Sequence, residues 1–440
     1  MPVKISIILK GKKRNIYLFP FLIAIILRCA AIPILDESEP ALMEYGRIAH
    51  NMLTGSGFSY SWYHTSGTHI ILPTAYMPPG QVFIQYFILG VFGETNLGLI
   101  ALYFLQIVQF LVFLYLIGQI SRLLFRSERA ENFTIWLAAI YPPFIYISMT
   151  FGVTSSALLL NALVLYFGIR FSHSLGTNDK TMKFALLLGI SCGFLLLFRG
   201  ESPLIIITTF ILIIYQNKDE LRRAVLYIGL AGLTAAAILA PWTIRNYLAF
   251  HRFIPISTNG GFNFWRGNNA ITTGSPWAES GSPLWTTDSL WAEIEPKMDT
   301  SKDFDKIYSD IHVHDAVHWI KEHPLQAALL SVKKAAILWT VDMKSKMGRT
   351  VAYIMIYFLT SLALLSGIFF IYKNKIAKTS VDARIGLQII ILWCIIATMT
   401  AMIFFPLPRF QVLLIGIYFP IVGYGISEIA AHLFERKQGK

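Results

Sequence analysis

The sequence predicts an all-α polytopic membrane protein of about ten transmembrane helices, with additional interfacial helices and two large outer loops. Three observations carry that reading. Charged residues make up 14% of the 440 positions against 55% hydrophobic ones, whereas a water-soluble chain holds about 25% charged residues. Apolar runs such as 19–35 and 385–405 approach the roughly 20 residues a helix needs to cross a bilayer. The basic excess, 37 Lys and Arg over 25 Asp and Glu for a formal charge of +12, sits in short clusters between those runs, which is the positive-inside pattern of cytoplasmic loops. An ordinary soluble enzyme is excluded, and nucleic acid is not an expected partner.

In chain order, Lys10, Lys12, Lys13 and Arg14 precede an apolar run too long for a signal peptide, which makes 16–35 an uncleaved first span. Further spans are expected at 95–118, 133–150, 152–170, 183–199, 202–216, 224–242, 350–372, 385–406 and 410–431. An even number of crossings puts both termini on one side. Arg122, Arg126 and Arg129, then Arg170 and Lys183, then Lys218, Arg222 and Arg223 all fall on that side, so both termini are expected to be cytoplasmic in a plasma or inner membrane. The run 327–340 is short and carries Lys333 and Lys334 at its centre. Counting it as a span would move Lys373, Lys375, Lys378 and Arg384 outside, so it reads as an interfacial helix.

Three regions follow: a transmembrane module over 1–240 containing the first outer loop 36–94, a second outer loop with its interfacial helix over 241–349, and C-terminal transmembrane helices over 350–440. In the first loop Ala41, Leu42, Tyr45, Ile48, Ala49, Met52 and Leu53 recur at helical spacing, with Glu44, Arg47 and Asn51 toward the other face. Pro40 suits the first turn of that helix and Gly55 and Gly57 its end. An aromatic stretch over 58–74 leads to Pro78 and Pro79, which open a second helix over 80–92. The second loop is entered through 241–246 and holds a turn-rich segment, 259–269, with many amide donors. A helix over 303–323 follows, stopped by Pro324. Cys29, Cys192 and Cys394 all lie in apolar runs, so neither a disulfide framework nor a thiolate metal site is indicated. His312, His314, Asp315 and His318 offer metal-ligand spacing, but read first as a wet helix face, and no metal ligand is assigned.

The two loops resemble those of the polyprenyl-phosphate-sugar-dependent glycosyltransferases of the GT-C superfamily, relatives of protein O-mannosyltransferases and lipid A aminoarabinose transferases. Residues 44–58 are similar to that family's first-loop helix with its Gly-x-Gly-Phe exit, and 75–79 to the Pro-Pro opening of the next helix. Tyr141-Pro142-Pro143, Arg199-Gly200-Glu201, 241–247, 257–269, the segment 316–334 with its His-Pro break, and Arg409 extend the resemblance nearly end to end. It implies inverting transfer of a sugar from a polyprenyl-phosphate donor to a lipid, glycan or protein acceptor on the outer membrane face. A first-loop carboxylate would take the acceptor's proton, while cations stabilise the departing phosphate.

The position aligned with the family's first-loop acid is Ala41, so the base is sought one turn away: Glu44 first, then Glu39 and Asp36. Where many relatives carry an acid after the third span this chain has Thr154, Ser155 and Ser156, which makes a divalent metal doubtful; no cofactor is assigned. Arg199, Arg245, Lys333, Lys334 and Arg409 are the candidates for the donor phosphate, since arginine donates paired hydrogen bonds to phosphate oxygens. Arg28 joins them from inside the first span. Tyr45, His64 and Asn268 complete the substrate-binding candidates. On the residues alone, Glu44 reads as a solvated helix position, the arginines as interfacial anchors and the lysine pair as a lipid-binding surface. A transporter or flippase of a lipid-linked envelope precursor is the alternative function. Such proteins concentrate polar groups on broken midplane helices and in inverted repeats, whereas here they concentrate in the two loops.

Overall fold

The computed structural model describes residues 16–35, 44–177, 180–278, 280–299, 301, 303–345 and 347–438. Seven of the described helices are long and apolar enough to cross a membrane. They are α4 (Asn96–Phe125), α7 (Thr154–Thr177), α8 (Thr181–Phe198), α10 (Leu221–Phe250), α15 (Val351–Lys373), α16 (Val381–Ile403) and α17 (Pro408–Gln438). The expected first and sixth spans appear as shorter apolar helices, α1 (Leu18–Leu35) and α9 (Ser202–Gln216). The expected third span, 133–150, is broken into α5 (Glu128–Ile140) and α6 (Pro142–Ile147). Pro142 has no N–H to give and forces the residue before it into extended backbone. Tyr141 accordingly has φ −69° and ψ 114°.

Helix α17 runs through the middle of the bundle and packs on α4, α5, α7 and α15. Its contact with α15 depends on missing side chains: a Cβ on Gly425 would lie 2.5 Å from the backbone nitrogen of Gly367. Such close backbone approach is how helices associate where lipid removes the usual hydrophobic drive.

The remaining elements belong to the two long loops and gather at one end of the bundle. From the first come α2 (Glu44–Leu53), the antiparallel hairpin β1 (Ser59–Tyr63) and β2 (His69–Pro73), and α3 (Pro79–Phe92). From the second come α11 (Gly260–Gly267), α12 (Asp288–Ile294), α13 (Phe304–Glu322) and α14 (Pro324–Trp339). They share a largely aromatic core in which Phe58, Trp62 and Tyr76 pack with Trp242, Phe262, Trp265, Phe304 and Tyr308. Helix α16 fixes the geometry. It begins at a polar cavity shared by Asp382 with Arg122 and Arg126, and ends where the Ile403 carbonyl accepts a hydrogen bond from Asn268. Its 23 residues set these points about 35 Å apart, so the basic residues Arg122 and Arg126 lie at the end opposite the folded loops.

Candidate functional site

Three links clamp the loops together before any substrate is considered. Asp305 on α13 is 1% exposed and accepts from the Thr74 hydroxyl and the Ala75 N–H through Oδ2, both at 2.6 Å, while its Oδ1 has no partner. Burial pushes its carboxyl up to about 6, against the pull of those donors and of Arg245. Arg245 on α10 donates to the carbonyls of Thr74 (2.7 Å) and Phe58 (2.8 Å) and lies over the rings of Phe58, Trp242 and Phe250. In the third link, His64 pairs with Glu295 at 3.3 Å and Asp299 at 3.5 Å, and Glu295 also accepts from the Thr65 N–H.

Above this clamp, charges of both signs meet around three tyrosines. Burial is the largest cause that pushes the Tyr45 phenol up to about 12; Arg409 and Arg199 act against it, Glu44 and Glu201 with it. Tyr60 and Tyr76 are raised by burial as well, and both feel Glu44. Arg266, at the C-terminal end of α11, is lowered mainly by burial; Tyr76, Glu44 and Tyr308 favour its charge and Arg409 opposes it. Glu44 from the first loop, Arg266 from the second, Arg199 from the α8–α9 turn and Arg409 from the start of α17 therefore share one electrostatic neighbourhood. Arg266 lies among the rings of Phe262, Trp285 and Phe405, and its Nε is buried without a partner. The guanidinium is half-buried and donates through Nη2 to the Pro276 carbonyl at 3.2 Å, and its unused Nε donor is suited to an anion.

The expected site residues divide accordingly. Glu44, Tyr45, Arg199 and Arg409 are brought together, Arg199 held by Glu201 through Nε at 2.6 Å and Arg409 lying over Phe410. Arg245 and His64 are taken up by the loop clamp. Lys333 is exposed, whereas Lys334 is 0% exposed and donates to Asn268 at 2.9 Å and to the Met402 carbonyl at 3.3 Å, so the pair is not a continuous lipid-facing surface. Arg28 is also 0% exposed and donates to Ser148 at 2.8 Å within the bundle. Asp36 and Glu39 lie outside the described residues. Sequence reasoning missed Arg266 and Asp305. The segment 259–269 drew notice for its amides, and its arginine was passed over because the stretch read as turn rather than helix. Nothing in the sequence around Asp305 marks it as buried.

At the start of α7, Ser156 exchanges hydrogen bonds with Gln81 and Gln109, so neutral amides and hydroxyls surround that helix end. Among the described residues no three His, Cys, Asp or Glu side chains are grouped to hold a metal. His312 is enclosed, bonded to the Tyr308 carbonyl and Thr286 and pushed down to about 4 by burial, which fits a packed helix position.

No protein-family model and no curated protein matches the chain. Solved structures do. The Archaeoglobus fulgidus oligosaccharyltransferase AglB, in complex with an inhibitory peptide and a dolichol-phosphate, aligns over 97% of this chain and 51% of its own, with a TM-score of 0.56 and 13% identity. An Archaeoglobus fulgidus oligosaccharyltransferase tethered to an acceptor peptide containing the NVT sequon gives a TM-score of 0.57 over the same shares, again at 13% identity. ArnT from Cupriavidus metallidurans bound to undecaprenyl phosphate aligns too loosely to argue from, at a TM-score of 0.41 and 11% identity over 94% of this chain and 78% of its own. The chain spans about half the length of the oligosaccharyltransferase chains it matches. With its bundle, its two interlocked loops and this alignment taken together, the chain has the fold of these oligosaccharyltransferase structures over nearly its whole length.

Proposed function

We propose that the protein is an inverting membrane glycosyltransferase that moves a sugar from a polyprenyl-phosphate donor to a lipid, glycan or protein acceptor. The meeting of Glu44 with Arg266 and Arg409 around Tyr45 and Tyr76 carries this reading. It supplies both things the reaction needs, an acid positioned for proton transfer and cations for a departing phosphate. In the proposed step the acceptor oxygen attacks the anomeric carbon as its proton passes to the Glu44 carboxylate. The bond from that carbon to the phosphate oxygen breaks with its electron pair leaving on the phosphate, whose negative charge Arg266 and Arg409 stabilise. Arg199, steadied by Glu201, extends the positive rim, and Arg245 braces the loops rather than touching the donor. The solved relatives support the ligand class, since one holds a dolichol-phosphate and another an acceptor peptide. In this reading the site faces outward from a plasma or inner membrane and both termini are cytoplasmic.

The test is transfer from a radiolabelled polyprenyl-phosphate sugar by the full chain in lipid nanodiscs. Glu44→Gln is expected to lower kcat by about 100-fold or more, the range of a lost general base, with little change in donor KM. Full turnover by Glu44→Gln would move the base to Glu39 or Asp36, and full turnover by all three single variants would end the carboxylate mechanism.

A further inference from the structure

Lys334 is placed where an ammonium is expensive. It lies on α14, whose outward face shows Leu325, Leu329 and Val332 at 72%, 63% and 63% exposure, yet Lys334 itself turns inward and is 0% exposed. Burial pushes it down to about 7, and its hydrogen bonds go to neutral oxygens: Asn268 Oδ1 at 2.9 Å and the Met402 carbonyl at 3.3 Å. The same Asn268 donates through Nδ2 to the carbonyls of Ile403 and Phe264, each at 2.8 Å. Beside it, the backbone of Gly267 meets the Phe404 carbonyl so closely that a Cβ would lie 1.7 Å from that oxygen. The lysine thus ties together the end of α11 and the end of α16. Arg266 immediately precedes the first junction, and the short connector 404–407 leads from the second to Arg409. These two arginines repel each other, so an unbraced site would spread them apart whenever no anion lies between them.

We propose that Lys334 is a positioning residue for the donor phosphate: by holding Asn268 and the Met402 carbonyl at once, it sets the spacing at which Arg266 and Arg409 address one phosphate group. The proposal rests on the glycosyltransferase reading for its substrate but not for its geometry. Lys334 acts through these two junctions and does not touch the phosphate.

The full chain in nanodiscs is compared with Lys334→Met and Lys334→Gln by three measurements: transfer kinetics, binding of radiolabelled polyprenyl phosphate alone, and hydrogen exchange. Lys334→Met is expected to raise the donor KM and weaken polyprenyl-phosphate binding by about tenfold, the equivalent of one well-placed hydrogen bond. It should leave kcat at saturating donor and the acceptor KM nearly unchanged, and amides over 262–269 should lose protection. Lys334→Gln keeps a polar end but falls short of both oxygens; it should show the same pattern and serves if the methionine variant does not fold. Unchanged donor KM and unchanged protection over 262–269 would overturn the proposal. So would a fall in kcat at saturating donor with protection intact, which would put the ammonium on the reacting groups. If the wild type transfers no sugar, the glycosyltransferase reading fails, and lipid-phosphate binding with hydrogen exchange still decides the role of Lys334.

Discussion

Asp305 makes stability depend on pH in an uncommon direction. Its carboxyl is pushed up to about 6 in the folded protein by burial, so between about pH 4 and that value the unfolded chain has released a proton that the folded chain still holds. Stability therefore falls as pH rises through this window and is flat above it. Asp305→Asn should remove the slope, as read by denaturant unfolding in detergent at about pH 4.5 and 7; a variant with the same slope as wild type would assign the titration elsewhere. The second residue-level expectation concerns Arg266. Arg266→Lys keeps the charge but loses the planar fork, so the donor KM should rise by about tenfold while the protein stays folded. Neither role was legible in advance. Asp305 and Arg245 take their partners from backbone groups at Phe58, Thr74 and Ala75, and a backbone carbonyl has no signature in the sequence.

Elements were more legible than their interruptions. Long apolar stretches locate the membrane helices, because hydrocarbon admits little else, although α4, α7, α10 and α17 run seven or eight residues past their expected ends. Hydropathy averaged over 133–150 does not show the break at Tyr141, because it is blind to a single missing N–H, although Pro142 and Pro143 are plain in the sequence. The β1–β2 hairpin was read only as an aromatic stretch. Its strands have five residues each, and the surface that buries Trp62 is made by Phe304 and Tyr308, more than 200 positions away in the numbering. Asn51 was expected on the polar face of its helix, but is 4% exposed and donates to the Ser59 carbonyl at 3.1 Å, tying α2 to the hairpin. Because the hairpin is held by this remote packing, Trp62→Ala should cost about 3–5 kcal/mol, the usual range for a large buried aromatic. The loss should appear as faster proteolysis within 59–73 while the bundle's helical circular dichroism is retained.

At the scale of the whole molecule, the resemblance in the loops anticipated the fold because it depends on order along the chain, which sequence preserves even at 13% identity to the solved relatives. It did not reveal which charges would meet, since that is decided by how two segments separated by seven helices, α4 to α10, close over one another. Pairs of introduced cysteines test the arrangement: labels at 66 and 280 should react from one side of the membrane and a label at 127 from the other. The crossing of α15 and α17 at Gly367 and Gly425 offers a second test. Gly425→Leu must push backbone against backbone, and overpacking of this kind costs about 1–3 kcal/mol or more, read as a lower melting temperature in detergent. The position of α17 also bears on how the protein is made. Its apolar window is 83% buried, yet it comes after α4, α5, α7 and α15 in the chain, so these helices enter the bilayer with a vacant slot between them. Until the ribosome has released α17, the faces of α4, α5, α7 and α15 that it covers stay open to lipid and to quality-control proteases.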